Sequence, residues 1–424
     1  MPARIKLRKN SAILISPLAI GIPMFYYFFE GGKPPEINFS YAPLVVSYSL
    51  TFVYSFAYAT ASSLSAWESG KLREYKIWKL GPARSQYAVA ARTLLAPITL
   101  SWMVLTLPVV TALVQTGTLP TLVSLGPLFM GMVLCVAHAV VGFAVGSRVP
   151  PLIAAPILAA GTWVVVAFSM ANREFWMRHV SGQFSFSLMF GEVVPSRVLL
   201  PPLLFTGAIA LGIILLWIRN FHWTIRAMMA AVVSIVGMST AINLTSGWGH
   251  TPPLLAAQAP MECLGNSPRV CLPEAMHGSI SEVHAEVAST LKTLRDSGVK
   301  VQPKVVTDSV VYGRYPKSST TNKWYVGFTQ TLLTKESVRY RIGFEAAKFD
   351  CKEPNIEKSR SVRLWVATII GEADEERKRI AVETTPFDGQ RRVEGTVERI
   401  LRLPEPQQAE WFDHSLTEAC VGRK

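Results

Sequence analysis

Seven apolar stretches dominate the first 245 residues, and short polar or charged segments separate them. Each stretch has about 20 residues with almost no charge, which is enough for a helix to cross roughly 30 Å of hydrocarbon. Bulky aromatic residues at 25–29 lie where a signal peptide would need small residues for cleavage, so the first stretch is interpreted as a retained span. The predicted spans are residues 11–29, 42–66, 93–115, 121–146, 151–171, 199–218 and 226–244.

The pattern changes after residue 245, where charged residues alternate with short apolar groups. Residues 246–260 are typical of a linker. Beyond them, apolar positions three or four apart predict helices, and alternating positions predict strands. The predicted elements are helix 279–297, strands 304–312, 323–333, 337–344 and 362–370, and helices 391–403 and 406–420. Residues 245–424 are therefore expected to form one small α+β domain.

Composition supports a membrane protein, because 50% of the residues are hydrophobic and only 17% are charged. The net charge of +13 could suggest a nucleic-acid partner. However, residues 1–243 carry 17 Lys/Arg against 6 Asp/Glu (+11), whereas residues 244–424 carry 25 against 23 (+2). The excess lies beside the spans, where it sets orientation. A lipid bilayer is therefore the expected environment, and no nucleic acid is expected.

The basic residues also predict the orientation of the chain. With the N-terminus in the cytoplasm, 13 of the 17 Lys/Arg in residues 1–243 fall on the inner side and four on the outer side. Inner segments of membrane proteins are enriched in Lys and Arg. Seven spans then place residues 245–424 on the extracytoplasmic side.

Residues 67–92 form the one long charged segment between the spans. Gly81 and Pro82 predict a turn between a helix before them and a short helix at 83–92. The first helix has one charged face and one apolar face, formed by Glu68, Lys71 and Glu74, and by Leu72, Tyr75 and Trp78. A helix-turn-helix of this kind could be a protein-docking surface. The alternative is an amphipathic loop lying on anionic lipid.

The order of residues in this segment favours docking, because it resembles the first cytoplasmic loop of ABC-2-type transporter permeases. The shared pattern is an acidic residue, Gly, Leu and Arg-Glu, followed by Gly-Pro-x-Arg before the third span. In that family the loop is a coupling helix that seats in a groove of a separate ATP-binding subunit. The loop residues matched are Glu68, Gly70, Leu72, Arg73, Glu74, Trp78, Gly81, Pro82 and Arg84.

The resemblance covers about residues 1–220 and implies a six-span α-helical permease domain in a bacterial plasma membrane. It also implies an exporter built from two permease subunits, alike or different, and two ATPase subunits. The seventh span at 226–244 and the α+β domain at 245–424 are additional to that pattern. Within this domain, Pro-Arg-Val-Cys-Leu-Pro at 268–273 resembles the tails of certain bacterial permease-like proteins.

Two ionisable residues in or near the spans are candidates for a gate or transport role. Glu192 lies between the fifth and sixth predicted spans, where it could contact substrate or cap the sixth span at the headgroup level. His138 lies within the fourth span, where it could act in ligand or proton binding or be a neutral side chain hydrogen-bonded to a neighbouring helix.

Four of the five cysteines lie in the C-terminal domain, and an even number in a domain expected outside predicts disulfides. Three pairings are possible. Cys263–Cys271 with Cys351–Cys420 is preferred because the first two are close in sequence. Zinc is the alternative, although the spacings are not those of paired Cys-x-x-Cys knuckles. His277 and His284, seven residues apart on a predicted helix, give only weak support to a metal site.

The chain lacks the usual motifs of nucleotide hydrolysis and proteolysis. It has no Gly-x-x-x-x-Gly-Lys-Ser/Thr, no His-Glu-x-x-His and no Gly-x-Ser-x-Gly sequence. The chain itself is therefore expected to be neither an enzyme nor a cofactor protein, and any ATP would be hydrolysed by a partner subunit. The alternative function is a membrane-anchored extracytoplasmic binding or sensor protein built on a permease-like scaffold.

Overall fold

Long helices account for most of the computed structural model, which describes residues 11–29, 41–77, 85–184, 188–218, 220–275, 280–328, 334–382 and 389–421. The chain divides into two units. Unit 1 comprises Met1–Ala256, and unit 2 comprises Ala257–Lys424.

The described part of unit 1 is helical and contains the apolar spans. Six helices are long and apolar enough to cross a membrane, and the pair α2–α3, bent by 51°, provides a seventh crossing if it is one broken span. This agrees with the predicted apolar spans. The helices are α1 Ser11–Phe29, α2 Ala42–Leu50, α3 Tyr54–Glu74, α4 Gln86–Gln115, α5 Gly126–Gly146, α6 Pro151–Ala167, α7 Phe175–Val180, α8 Ser196–Leu216 and α9 Trp223–Thr245.

Helix α3 is the centre of unit 1, and it packs closely on α5 through two glycines. A Cβ at Gly142 would lie 2.1 Å from the backbone oxygen of Ser62, and a Cβ at Gly146 would lie 2.1 Å from that of Ala66. Ser69 on α3 also donates a 2.7 Å hydrogen bond to the carbonyl of Phe143. Small residues at four-residue spacing let two backbones approach in this way in an apolar environment.

Unit 2 contains a four-stranded sheet with the order β1-β2-β3-β4. The hairpin β1–β2 is antiparallel, and β2, β3 and β4 are parallel. The strands are β1 Met261–Leu264, β2 Arg269–Pro273, β3 Val305–Asp308 and β4 Lys323–Val326. The helices are α10 Ile280–Asp296, α11 Lys335–Ala346, α12 Ile356–Ile369, α13 Ala373–Val382, α14 Gln390–Leu401 and α15 Glu405–Glu418.

These elements enclose a second hydrophobic core around Trp365 of α12. The Trp365 ring packs against Trp411 and Phe412, and its Nε1 donates a 3.1 Å hydrogen bond to Gln408. Unit 2 therefore has an interior of its own, and the C-terminal region combines helices with a small sheet whose strands β2, β3 and β4 are parallel.

Two of the predicted strands are wrong, because residues 337–344 and 362–369 are helical. They belong to α11 and α12, which are capped by Thr334 and Asn355. Helix α12 is buried on most sides, so its apolar residues form a nearly continuous run without a clear helical period. The strands β1 and β2 were not predicted, because each is only four or five residues long.

Both predicted disulfides are present, joining Cys263 to Cys271 and Cys351 to Cys420. The first crosses the β1–β2 hairpin, in which these two residues are directly opposite. The second joins the segment before α12 to the end of α15. The fifth cysteine, Cys135, is free and buried in α5.

Candidate functional site

The charged segment at 67–92 is divided between the ends of two long helices. Residues 67–74 are the last turns of α3, and residues 86–92 are the first turns of α4. Helix α3 ends where Lys76 adopts a left-handed conformation with a φ of 52°. In the described part, the two helices predicted on either side of Gly81 and Pro82 are therefore continuous with the spanning helices and not separate from them. Trp78, Gly81, Pro82 and Arg84 lie outside the described residues. We call residues 67–77 the α3 tip.

Within the α3 tip, Glu68 is bound to the start of α1. Its Oε1 accepts hydrogen bonds from the backbone N–H of Ser11 (3.1 Å) and from the Ser11 hydroxyl (2.5 Å). Lys71 Nζ lies 3.0 Å from the same oxygen. A carboxylate at this position compensates the unpaired N–H groups and the positive end of the dipole of α1. Glu68 therefore joins α3 to α1.

Two further contacts join the α3 tip to the connection between α5 and α6. Arg73 donates from Nη1 to the backbone carbonyl of Arg148 in that connection. Gly70 packs on Pro151, the first residue of α6, and a Cβ at Gly70 would lie only 2.7 Å from Pro151 Cβ. A larger residue at position 70 would therefore push α6 away from the α3 tip.

The accessible part of the α3 tip is its last turn. Glu74 and Lys76 are exposed, and Tyr75 is 71% exposed. By contrast, Leu72 packs partly buried against the core of unit 1. A partner would therefore contact Glu74, Tyr75 and Lys76, while Glu68, Gly70 and Arg73 hold the tip against its neighbours.

Contacts among the segments that connect the helices show that the chain leaves unit 1 at the end opposite the α3 tip. The segment between α6 and α8 lies at that opposite end, because α6 begins beside the tip. Val193 of this segment pairs with Leu255 in a β-bridge, and Arg178 of α7 donates to the carbonyl of His250 (3.2 Å). The residues after α9 are therefore held at the end remote from the tip.

At this remote end, a polypeptide segment follows the broken second span and is attached to both of its halves. We call the described residues of this segment, 182–184 and 188–192, the strap. The three attachments are hydrogen bonds from Tyr41 OH to Glu192 O (3.0 Å), from Gln183 Nε2 to Thr51 O (3.2 Å) and from Tyr58 OH to Gly182 O (2.8 Å). Thr51 lies at the break, where the helical hydrogen-bond ladder is interrupted. The strap thus satisfies a carbonyl exposed by the bend.

Glu192 is fully buried in this structure. One of its carboxylate oxygens, Oε2, accepts a 2.9 Å hydrogen bond from the backbone N–H of Met189, three residues earlier. Its backbone carbonyl is the acceptor for Tyr41. Glu192 therefore closes the end of the strap against the start of α2.

Three buried polar residues, one at the start of the strap and two just before it, were not predicted from the sequence. Arg178, His179 and Gln183 line one small cavity and are all more than nine-tenths buried. Two atoms have no hydrogen-bond partner among the described residues, Nε of Arg178 and Oε1 of Gln183. Burial lowers the pKa of His179, with smaller contributions from Arg178 and His250, although its 2.9 Å hydrogen bond to Gly249 O acts in the opposite direction. The available sequence signal was a charged pair, Arg178-His179, inside an aromatic segment.

His138 is placed against α3, where its ring stacks on Tyr58 with a centroid distance of 4.8 Å. Its buried Nε2 has no hydrogen-bond partner among the described residues. The hydrogen bond to a neighbouring helix that the sequence suggested is therefore not made by this nitrogen. Within the described ranges, no three His, Cys, Asp or Glu side chains come together as possible metal ligands.

The apolar helices indicate a membrane-inserted unit 1, and the two disulfides indicate an oxidising environment for unit 2. Comparison with known protein families, with curated proteins and with solved structures gives no match to this chain. Its function is therefore argued from the site.

Proposed function

We propose that this chain is the membrane subunit of an ATP-binding-cassette exporter of the ABC-2 type, coupled through the α3 tip to a separate ATPase subunit. The observation that carries the proposal is the form of this tip. An exposed last turn, with Glu74, Tyr75 and Lys76, continues directly from a spanning helix. A rigid handle of this kind would transmit a push from a partner along the whole helix.

The contacts behind the last turn support a concerted motion. Glu68 ties the α3 tip to α1, Arg73 ties it to the α5–α6 connection, and Gly70 packs on α6. A displacement of the tip would therefore move these elements together, as a rigid body, rather than bend α3 alone. At the other end of the bundle, the strap and the break in the second span would respond. The hydrogen bonds of Glu192 and Gln183 attach the strap to the second span there, so we assign the outer gate to this end.

In this proposal, the α3 tip faces the cytoplasm of a bacterium and unit 2 lies outside the plasma membrane. The excess of basic residues on the tip side supports this orientation. The disulfides of unit 2 agree with it, because they persist in oxidising compartments. A second permease subunit, identical or different, would complete the exporter. Much of α1, α6 and α9 exposes apolar side chains that lipid or such a subunit would cover.

Photo-crosslinking at the α3 tip tests the proposal. A photoreactive phenylalanine analogue would replace Tyr75 in the full chain, expressed in its own cells. We expect a crosslinked partner whose sequence contains a Gly-x-x-x-x-Gly-Lys-Ser/Thr phosphate-binding loop. Glu74→Lys should lower the crosslinking yield because it reverses a charge on the exposed turn. Glu68→Lys is a poorer probe, because it would also break the contact with Ser11.

The matched control places the same analogue at Leu122, which is 88% exposed in the connection at the opposite end of the bundle. No ATP-binding partner should be recovered from that position. The same two positions, as cysteines, report orientation: a membrane-impermeant thiol reagent should modify position 122 in intact cells and position 75 only after permeabilisation. Labelling of position 75 in intact cells would contradict the proposal.

A membrane-anchored binding or sensor protein is the second candidate. The observation in its favour is that unit 2 has its own hydrophobic core and two disulfides, more structure than a simple tail needs. In that case Tyr75 would yield no ATP-binding partner in the crosslinking experiment, while the orientation result would remain the same.

A further inference from the structure

Charge is distributed unevenly within unit 2. Between residues 297 and 335 the chain has six Lys/Arg and one acidic residue, Asp308. The rest of residues 244–424 then has 19 Lys/Arg and 22 Asp/Glu, a net charge of −3. Asp308 is fully buried, and its Oδ1 accepts the N–H of Val310. The surface contributed by residues 297–335 is therefore almost purely basic.

Tyrosines and lysines of this basic segment form one connected cluster. The rings of Tyr312 and Tyr325 meet edge to face with a centroid distance of 5.2 Å. Lys317 Nζ lies 4.7 Å from the centre of the Tyr312 ring, and Lys323 Nζ lies 5.2 Å from that of Tyr325. We call Tyr312, Lys317, Lys323 and Tyr325 the Lys/Tyr face.

The two lysines of this face have no carboxylate partner in the described part of the chain. Their nearest aromatic contacts hold Lys317 and Lys323 by cation–π attraction, which leaves the ammonium donors free to bind an anion. Lys300, in the same basic segment, differs because it pairs with Asp413 at 2.8 Å. The face therefore carries uncompensated positive charge, held in place by aromatic rings.

The edge of the sheet at this face is not open to another strand. The backbone N–H of Lys323 donates to Thr320 Oγ1 (3.2 Å), and that of Tyr325 donates to Ser319 Oγ (2.8 Å). Pairing with an added strand requires free backbone groups at the edge. A partner would therefore be recognised through the lysine and tyrosine side chains, which points away from an extended peptide.

The position at which unit 2 is attached to the chain favours the membrane surface as the partner. Residues 246–256 follow α9, and Leu255 is fixed to Val193 at the end of unit 1 remote from the α3 tip. Unit 2 begins two residues later, so it is covalently tethered to the membrane-inserted unit. Tethering gives a nearby surface a high effective concentration. Lys is attracted to anionic headgroups, and Tyr is favoured at the membrane interface.

We propose that the Lys/Tyr face of unit 2 binds anionic phospholipid headgroups of the membrane that holds unit 1. Lys317 and Lys323 would contact headgroup phosphate oxygens, and the tyrosine rings would lie at the headgroup level. This inference needs only that unit 1 is membrane-inserted. It does not depend on the ATPase partner.

The test uses the full chain in nanodiscs. Ser318, which is exposed beside Lys317, is changed to Cys and labelled with a fluorophore, and its quenching by neutral acrylamide is measured. Compared with pure phosphatidylcholine, discs with equal amounts of phosphatidylglycerol and phosphatidylcholine should lower the quenching constant at this position. High salt should remove the difference, because it screens the attraction. A label at Asp374→Cys, an 89% exposed side chain outside the basic segment, should show no difference.

Two charge-matched variants decide the outcome. Lys317→Glu with Lys323→Glu should abolish the response to phosphatidylglycerol. Lys352→Glu with Lys378→Glu changes the net charge equally at exposed positions outside the face and should retain the response. The proposal would be overturned if both variants lost the response to phosphatidylglycerol equally. It would also be overturned if the protein with an unmodified face showed no response. Protection by soluble polyphosphate without protection by phosphatidylglycerol would also overturn it, in favour of a soluble polyanion.

Discussion

The two units are held together by different kinds of interaction. Between described residues, unit 1 has a single ion pair, Lys71–Glu68, and the other ion pairs lie in unit 2. In unit 1, helices meet at glycines, and hydroxyl groups donate to backbone carbonyls, as Ser69 does to Phe143. Unit 2 instead combines an apolar core with disulfides and with ion pairs on its surface. Unit 1 therefore has the interactions expected in lipid, and unit 2 has those expected in water.

The physical reason is that lipid and water differ in the free-energy cost of a charged group and in how much apolar burial stabilises a fold. In an apolar surrounding, unpaired charges are expensive and apolar contact with lipid is as favourable as contact with protein, so close backbone approach decides packing. In water, burying apolar surface stabilises the fold directly, and exposed ion pairs contribute little. The most sensitive positions should therefore be glycines in unit 1 and cysteines in unit 2.

The largest effect is expected from Gly142→Val. The new Cβ would have to lie 2.1 Å from the Ser62 carbonyl oxygen, so α3 and α5 must separate. We expect a loss of more than about 4 kcal/mol, enough to prevent recovery of a folded protein. Gly161→Val is the matched control, because nothing lies within 4 Å of its Cβ position. The measurement is the monodisperse fraction in size-exclusion chromatography after detergent extraction. Equal recovery of the two variants would show that α3 and α5 do not pack in this way.

A smaller effect, confined to unit 2, is expected from removing a disulfide. Cys351–Cys420 closes 69 residues and Cys263–Cys271 closes eight. The loop-entropy relation then gives about 4 kcal/mol for the first and about 2.5 kcal/mol for the second. Serine pairs at each site would be compared by hydrogen exchange of the core strands and helices of unit 2, with unit 1 as the internal control. A greater loss from the hairpin pair would contradict the entropic ranking.

The smallest effect is a pH dependence at the remote end of unit 1. Burial holds the pKa of His179 below 6.5, the value expected when it is unfolded. The unfolded state then binds more protons near that pH, so stability should fall as the pH drops below about 6.5. Thermal unfolding at pH 7.5 and 5.5 should show this loss in the unmodified protein. His179→Gln can still donate to Gly249 and cannot titrate, so it should show a smaller loss. An equal loss in both would assign the pH effect to other groups.

The candidate site was recoverable from the sequence only in part. The charged segment at 67–92 stood out because it interrupts the apolar pattern, and Glu68, Arg73 and Glu74 are all in its described portion. The different contacts of these three residues could not be predicted, because a helical pattern shows which residues share a face and not what covers that face. Glu68 binds Ser11 from a position 57 residues away in the chain. Arg178 and Gln183 were missed for the same reason, since their burial depends on elements distant in sequence.

The sequence by itself determined the apolar spans, the change to a water-soluble composition after residue 245, and the cysteines available for pairing. Each of these follows from local composition or from the count of a residue type, so no long-range contact is needed to read it. Only the tertiary structure decided that residues 337–344 and 362–369 are helical and that Glu74 is exposed while Glu68 is engaged. It also decided that Lys317 and Lys323 meet in one cluster with two tyrosines. These depend on which surfaces are brought together, and packing of distant segments overrides local preference wherever a segment is buried on most sides.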